Sequence, residues 1–553
     1  MGDARRLERW LVALLVVVAV ASFARTLLYG YILDDTSIIR GNPIVQSWAG
    51  VVAALTHPFW KEDGPSRSGL YRPLIIAIFT VIWNAGHKFA VWFHLFAVGL
   101  HAGATWLVWR LLRRGVGRWP ALAAALWFAV HPVHVEAVAS IANSSEVLVF
   151  TWTALLALLL GRANERAARE SAIPWPAAAG IAVLYAAAVL TKESGFVAPA
   201  LGGLWAWGWH ERRAVSSGVT ATMFRNALHR WWRPLAACGA VFLAVLVARM
   251  VVLGGAVSGG SIAAPGLEGL SAWERCRAML SLGPRGVALL FWPVAPLSPH
   301  YGPELLVAHA PSMGSVLTLA LLIAVLAIAI RIARSGDPRP LTGVAWILVA
   351  MLPASNLLVA TGQILAERTM YGASAGAAML LAWGVHAAAA RAAGHGAASK
   401  RSADLLLSAL VACSVVRAEA ITVNYAGVWE SHDRLFSYLV MIEPNGYRGH
   451  WLHALAERNA GRLDASLEDF AHAFALYPRD RQLTIDYSNT LLVAGRAKEA
   501  AAVAAHLMEF ADLRTNANAV GLYLDAVAKA YGPDSARARM RLLAPAVGRG
   551  TRP

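Results

Sequence analysis

Charge is scarce in this chain, at 15% of its 553 residues, where soluble globular domains carry roughly 25%. Acids are the scarcer sign, 33 Asp and Glu against 49 Lys and Arg. Cysteine is nearly absent. Cys238, Cys276 and Cys413 lie far apart without a CxxC spacing, so neither a disulfide framework nor a thiolate metal site is supported. No P-loop, no GxGxxG opening a helix and no HExxH occurs, which removes ATPase, dinucleotide oxidoreductase and zincin readings. What the chain has is apolar length: 58% of its residues are hydrophobic and its mean hydropathy is +0.51. A membrane protein is the first expectation. The net charge of +16 does not point to nucleic acid. The excess lies in short loops beside apolar runs, where cations set topology and meet anionic lipid headgroups.

A helix that crosses the hydrocarbon core needs about 20 apolar residues, and on that measure about eleven spans are expected. They fall near 10–30, 91–111, 119–135, 145–161, 176–191, 196–210, 233–254, 313–333, 341–360, 370–391 and 403–422. Arg5, Arg6 and Arg9 before the first run resemble the start of a signal peptide, but apolar character resumes at Leu27-Leu28-Tyr29 and favours an uncleaved helix. Alternate loops carry Arg110/Arg113/Arg114/Arg118, Arg162/Arg166/Arg169, Arg212/Arg213 to Arg233, Arg331/Arg334/Arg339 and Arg391/Lys400/Arg401, which marks them as cytoplasmic. Residues 73–83 are apolar but short for a span. They are expected to form an interfacial or re-entrant helix within a long outer loop, 31–90. A second outer loop, 255–312, starts with a flexible Gly/Ser run and continues into a surface helix over 272–293.

Past residue 425 the long apolar runs stop and a 34-residue period begins. Phe436 recurs as Phe470, Pro444 as Pro478, Gly461 as Gly495, Ala454 as Ser488 and Ser466 as Ala500. Aromatics, small packing residues and a terminal Pro at that period mark tetratricopeptide repeats. The expected architecture is therefore all-α: a polytopic membrane helix bundle over 1–425, then a short repeat solenoid over 426–545 on the outer face.

The loops opposite the arginine-rich ones hold compact polar motifs. Asp34-Asp35 follows the first run. Two adjacent carboxylates repel, which raises one pKa and suits a base, although a solvated turn or a cap for the segment after Thr36 reads equally well. His131-Pro-Val-His134-Val-Glu136 reads as a polar active-site wall in preference to a metal site, because no further clustered His or Cys supplies ligands. Lys192-Glu193 ends a helix, where the lysine either snorkels to the interface or holds a lipid phosphate. Arg249 lies inside the outer end of a span, where a lone charge is functional by default. Glu367-Arg368 reads as an interhelical ion pair or as a ligand contact. Together Lys192, Arg249 and Arg368 have the makings of a phosphate grip.

These motifs resemble a family. Asp34-Asp35, Tyr71-Arg72-Pro73-Leu74, His131-Pro-Val-His-Val-Glu-Ala137, Thr191-Lys-Glu-Ser-Gly195, Pro296-Leu-Ser-Pro-His-Tyr301 and Glu367-Arg368-Thr-Met-Tyr371 occur in the order seen in membrane O-mannosyltransferases with C-terminal tetratricopeptide repeats and in their bacterial relatives. Those enzymes belong to the GT-C superfamily. The resemblance implies transfer of a sugar from a polyprenyl-phosphate carrier to an acceptor hydroxyl, on a protein or glycan, at the periplasmic or lumenal face. It implies Asp34 or Asp35 as the base of an inverting displacement, and Lys192, Arg249 and Arg368 as donor-phosphate contacts. It implies Arg72, His131, His134, Glu136, Glu193, His300, Tyr301 and Glu367 as substrate-binding residues. No cofactor is implied, and a divalent metal finds no support in the spacings. The Asn143–Glu146 stretch departs from the family pattern, and the repeat array is shorter than in eukaryotic members. The Ala/Arg-rich composition points to a bacterial inner membrane. Two rivals remain: a ligase or polymerase that moves whole glycans from a lipid carrier, and a non-enzymatic membrane scaffold whose motifs would not converge. A transporter is weaker still, since no matched pair of Gly/Pro-broken helices appears.

Overall fold

The computed structural model describes residues 2–59, 69–167, 172–210, 221–254, 263–292, 296–306, 312–395, 397–510 and 513–547. Arg169, Arg212, Arg213 and the Gly/Ser run from 255 lie outside them. Every regular element among the described residues is a helix. The chain groups into two compact units. One runs to Glu430, and the other from Ser431 onward, together with Gly302–Glu304.

Among the described residues of the first unit seven helices of 22 to 32 residues have the length and apolarity to cross a membrane, and a bent pair makes an eighth if it is one span. They begin at Asp3, Ala90, Ser144, Leu228, Met313, Glu367 and Ala397. The chain is thus a multi-pass helical membrane protein. The count falls below the eleven expected spans because three of the apolar runs, 119–135, 196–210 and 341–360, are interrupted within their length, while 176–191 forms one unbroken helix of only 17 residues. The run at 119–135 is split into Arg118–Ala129 and Pro132–Ala139, bent by 51°, because Pro132 has no N–H to donate and its ring clashes with the preceding turn. Trp175–Thr191 and Arg339–Ala354 are shorter apolar helices. The run at 196–210 starts as Ala198–Trp205 and continues through a π turn, Ala206–His210.

Two local features carry the polar loops. The short segment at 73–83 forms the helix Pro73–Ala85, with Pro73 in the first turn, where its missing N–H costs nothing. Ile75, Ile76, Phe79 and Trp83 pack against Ile38, Ile39 and Val45 of the first loop, and against Ile141 and Leu148. This apolar cluster ties residues 31–59 to the loop after Pro132–Ala139. Elsewhere, Gly195 permits the tight turn after Trp175–Thr191. A Cβ there would lie 2.5 Å from the Ala188 carbonyl, which no side chain tolerates.

The second unit is a run of helices, His432–Ile442, Tyr447–Asn459, Leu463–Leu476, Arg481–Val493, Ala497–Ala505, Ala517–Tyr531 and Pro533–Val547, each packed on the next. Positions related by the 34-residue period occupy equivalent places. Phe436 and Phe470 are buried, as are Ala454 and Ser488, and Ser466 and Ala500. Gly461 and Gly495 close the same turn at φ +78° and +74°, the left-handed region that glycine enters without penalty. Phe470 stacks on Tyr487 at 5.6 Å within the unit's core. Removing a fully buried aromatic ring costs about 3–5 kcal/mol. Phe470→Ala is therefore expected to lower the thermal midpoint of this unit's helical unfolding in the full chain, while Val493→Ser at a position 75% exposed leaves it unchanged. Equal midpoints for both variants would contradict this packing.

Candidate active site

Asp35 sits where its own loop meets the Ile141–Ala142 backbone. Its carboxylate accepts N–H bonds from Ala142 at 2.7 Å, Ile32 at 3.3 Å and Ile141 at 3.4 Å, and the side chain is fully buried. Burial pushes the carboxyl up to about 7; adjacent Asp34 adds to the rise, and the three N–H donors oppose it. Asp34 is in the opposite situation. Its carboxylate is exposed, forms no hydrogen bond among the described residues, and acts electrostatically on Arg368. The residue just before the pair is strained: Leu33 adopts φ +46°, a conformation that costs a non-glycine residue roughly 1–2 kcal/mol. The paired acids thus divide into an anchor, Asp35, which clamps the first loop to Ile141–Ala142, and an open carboxylate, Asp34.

The three cations read from the sequence each face an acid. The Arg368 guanidinium pairs with Glu136, whose other oxygen accepts the Arg368 backbone N–H at 2.8 Å. The Lys192 ammonium lies 3.0 Å from Glu146. Arg249 lies 3.0 Å from Glu193, and the second oxygen of Glu193 takes Arg72 at 2.7 Å. Arg249 also donates to the Gly69 carbonyl, and Ser194 to Glu146 at 2.9 Å. Four consecutive residues, Thr191 to Ser194, thus end a helix and then reach three other segments. Burial lowers the Lys192 ammonium; Glu146 opposes this, and Arg72 and Arg368 reinforce it, for a net fall. Burial raises the Glu193 carboxyl, but Arg72 and Arg249 together outweigh it and hold the group at about 2. The paired groups are largely shielded: Glu136 is 1% exposed, Glu146 7%, and Arg72, Lys192, Arg249 and Arg368 between 11% and 13%.

Glu367, also buried, accepts the Ser298 N–H and the Tyr301 hydroxyl on one oxygen, both at 2.7 Å. His300 donates its backbone N–H to the Ser298 hydroxyl at 3.2 Å. His131 and His134 are placed differently from the motifs around them. Both are fully buried. His131 Nε2 meets the Leu290 carbonyl at 3.1 Å, and His134 Nε2 meets the Ser374 hydroxyl at 2.8 Å, among the rings of Phe128 and Tyr371. They serve the interior packing beneath Glu136. Ser374 belongs to a GxSxG stretch, Gly372–Gly376, but it lies within a helix and is fully buried, so no hydrolase elbow is formed. Among the described residues no group of three His, Cys, Asp or Glu converges to hold a metal ion.

Motifs from the first loop, the bent helix, the helix end at Thr191, the 298–301 loop and the Glu367 turn therefore meet. Glu146 completes the array and went unrecognised in the sequence. The clue was an acid in the first turn of an apolar helix, a costly placement that favours function.

No family model matches the chain. It is similar to protein O-mannosyl-transferases: to Tmtc2 of Drosophila melanogaster, 29% identical over 49% of this chain and 28% of that protein; to Tmtc1 of the same fly, 30% identical over 49% of this chain and 32% of that protein; and to TMTC3 of Mus musculus, 24% identical over 89% of this chain and 54% of that protein. The likeness to O-mannosyl-transferases read from the motifs is thus found in pairwise similarity as well. The chain spans between 28% and 54% of the length of these relatives.

Asp35 makes stability pH-dependent. Its folded pKa of about 7 lies above the ordinary 3.8, so the protonated form favours folding. The contribution is complete below pH 3.8 and is lost as pH rises through about 7. Asp35→Asn is expected to remove that part of the slope of thermal midpoint against pH, and to lower stability overall, because an amide nitrogen cannot accept the N–H bonds. An unchanged slope in the variant would contradict the assignment.

Proposed function

We propose that this chain is an integral-membrane glycosyltransferase that takes a sugar from a polyprenyl-phosphate carrier and passes it, with inversion, to an acceptor hydroxyl on the outer face of the membrane. The observation that carries this reading is the open Asp34 carboxylate within electrostatic reach of Arg368, at the edge of a buried array in which Arg368, Lys192 and Arg249 are each oriented by an acid. A scaffold has no need of this convergence, since every buried ion pair carries a desolvation cost.

In the proposed reaction Asp34 removes the proton of the acceptor hydroxyl as its oxygen bonds to the anomeric carbon. The bond from that carbon to the lipid phosphate breaks, and the phosphate departs with the electron pair. Arg368 and Lys192 neutralise the charge that develops on it. An arginine has five N–H donors, so Arg368 can keep Glu136 and still serve a phosphate oxygen. Glu136, Glu146 and Glu193 hold the cations in place beforehand, and Asp35 fixes the loop that carries the base. The relatives' names supply the sugar and the acceptor we propose, mannose and a protein hydroxyl. The helical second unit, read as tetratricopeptide-like, is proposed to present the acceptor. On the Ala/Arg-rich composition we propose a bacterial inner membrane, undecaprenyl phosphate as carrier and the periplasm as the active side.

Two variants test the roles separately. Asp34→Asn is expected to lower sugar transfer about 10²–10⁴-fold, the usual contribution of a general base, with donor binding retained. The double variant Arg368→Gln with Glu136→Gln, which leaves no buried charge unpaired, is expected to weaken donor binding. Undiminished transfer by correctly inserted Asp34→Asn would refute the assigned base.

A further inference from the structure

We propose that Arg285 is a contact for the carrier's phosphate, an arginine outside every motif of the site. The proposal rests on the transferase reading above. Each cation of the central array faces a carboxylate. Arg285, in the helix Gly283–Phe291, forms no ion pair among the described residues, and its Nε is buried without a hydrogen-bond partner there. A guanidinium held in this way at a membrane protein's surface is expensive unless an anion completes it.

Its position leads into the site. The guanidinium lies over the Tyr301 ring, 4.8 Å from the centroid. The Tyr301 hydroxyl donates to Glu367 at 2.7 Å, and Glu367 immediately precedes Arg368. A Cβ on Gly286, the next residue, would lie 3.8 Å from Met370 Cε, so the start of this helix rests on the Glu367–Met370 turn. Stacking on an aromatic face fixes the plane of a guanidinium and leaves its N–H edge for an oxyanion, a geometry that lysine cannot reproduce. The far end of the same helix carries Phe291 and is followed by Trp292, 40% and 57% exposed, and the preceding helix exposes Trp273 at 67%. Aromatics of this kind anchor a segment at the lipid–water interface. Arg285 therefore belongs to a segment with an interfacial aromatic edge on one side and the Tyr301–Glu367–Arg368 line on the other, which is where a phosphate attached to a membrane-embedded chain arrives. The ligand chemistry is a lipid phosphate, and the sources to distinguish are the polyprenyl carrier and bulk anionic phospholipid.

The test uses the full chain in nanodiscs and sugar-free undecaprenyl phosphate as probe, with phosphatidylglycerol as a second probe. Wild type is compared with Arg285→Gln and Arg285→Lys. Arg285→Gln is expected to weaken undecaprenyl phosphate binding about tenfold or more, the worth of one hydrogen bond to a charged group. Arg285→Lys is expected to fall between the two, and phosphatidylglycerol binding to stay unchanged. The lysine variant keeps the test open should the glutamine variant fail to insert. Wild-type affinity in Arg285→Gln, or in Arg285→Lys if only that variant inserts, overturns this proposal and leaves the transferase reading intact. Equal weakening for both lipids assigns Arg285 to bulk phospholipid and also overturns it. Failure of the wild type to bind undecaprenyl phosphate removes the transferase reading itself.

Discussion

Two charges taken out of water are tolerable only when each is answered fully, and the Glu136–Arg368 pair meets that condition. Glu136 is 1% exposed and spends its second oxygen on the Arg368 backbone N–H. Breaking such a pair leaves a buried charge uncompensated, a loss of about 3–5 kcal/mol. The requirement propagates. Glu136 reaches its place only because the helix bends at Pro132, and Arg368 reaches its own only because the chain turns at Glu367, which Ser298 and Tyr301 hold. His131 and His134 fill the space beneath the bend. The placement of the polar loops thus follows from satisfying one buried salt bridge.

The same logic repeats around Lys192 and Arg249. Their acids, Glu146 and Glu193, come from segments brought together by the packing of Trp175–Thr191 on Ser144–Ala167 and on the helix that carries Arg249. The outcome is an array of near-balanced charge that lies largely out of water, with Asp34 open at its edge. An array that is already paired needs little rearrangement as negative charge grows on a departing group, which is the condition for electrostatic stabilisation of a transition state.

Much of this was legible in the sequence, and the exceptions have physical reasons. Apolar length finds the long helices, since hydropathy reports burial in lipid directly. It does not report a bend or a break, so the runs at 119–135, 196–210 and 341–360 were read as straight spans. The 34-residue spacing of Gly461 and Gly495 was readable because only glycine enters that turn cheaply, and both adopt it. The Asp34-Asp35 pair was visible, but its division of labour was not: Asp35 is buried against the Ile141–Ala142 backbone while Asp34 is exposed, and the pairing with that distant backbone is set by the fold. His131 and His134 show the limit of motif spacing. A histidine pair beside an acid reads the same whether it faces a substrate or, as here, a core of aromatic rings. Glu146 escaped because its partner Lys192 is distant in sequence, and only the fold reveals such a pairing.

The most direct measurement of the central claim is sugar transfer by the purified chain in nanodiscs, given polyprenyl phosphomannose carrying labelled mannose and a serine/threonine-rich acceptor polypeptide, beside a nucleotide-sugar control. The account predicts label on the acceptor with inverted anomeric configuration, one free polyprenyl phosphate released per sugar moved, and none from the nucleotide donor. Transfer from the nucleotide sugar alone, or label that never leaves any polyprenyl carrier, would contradict it.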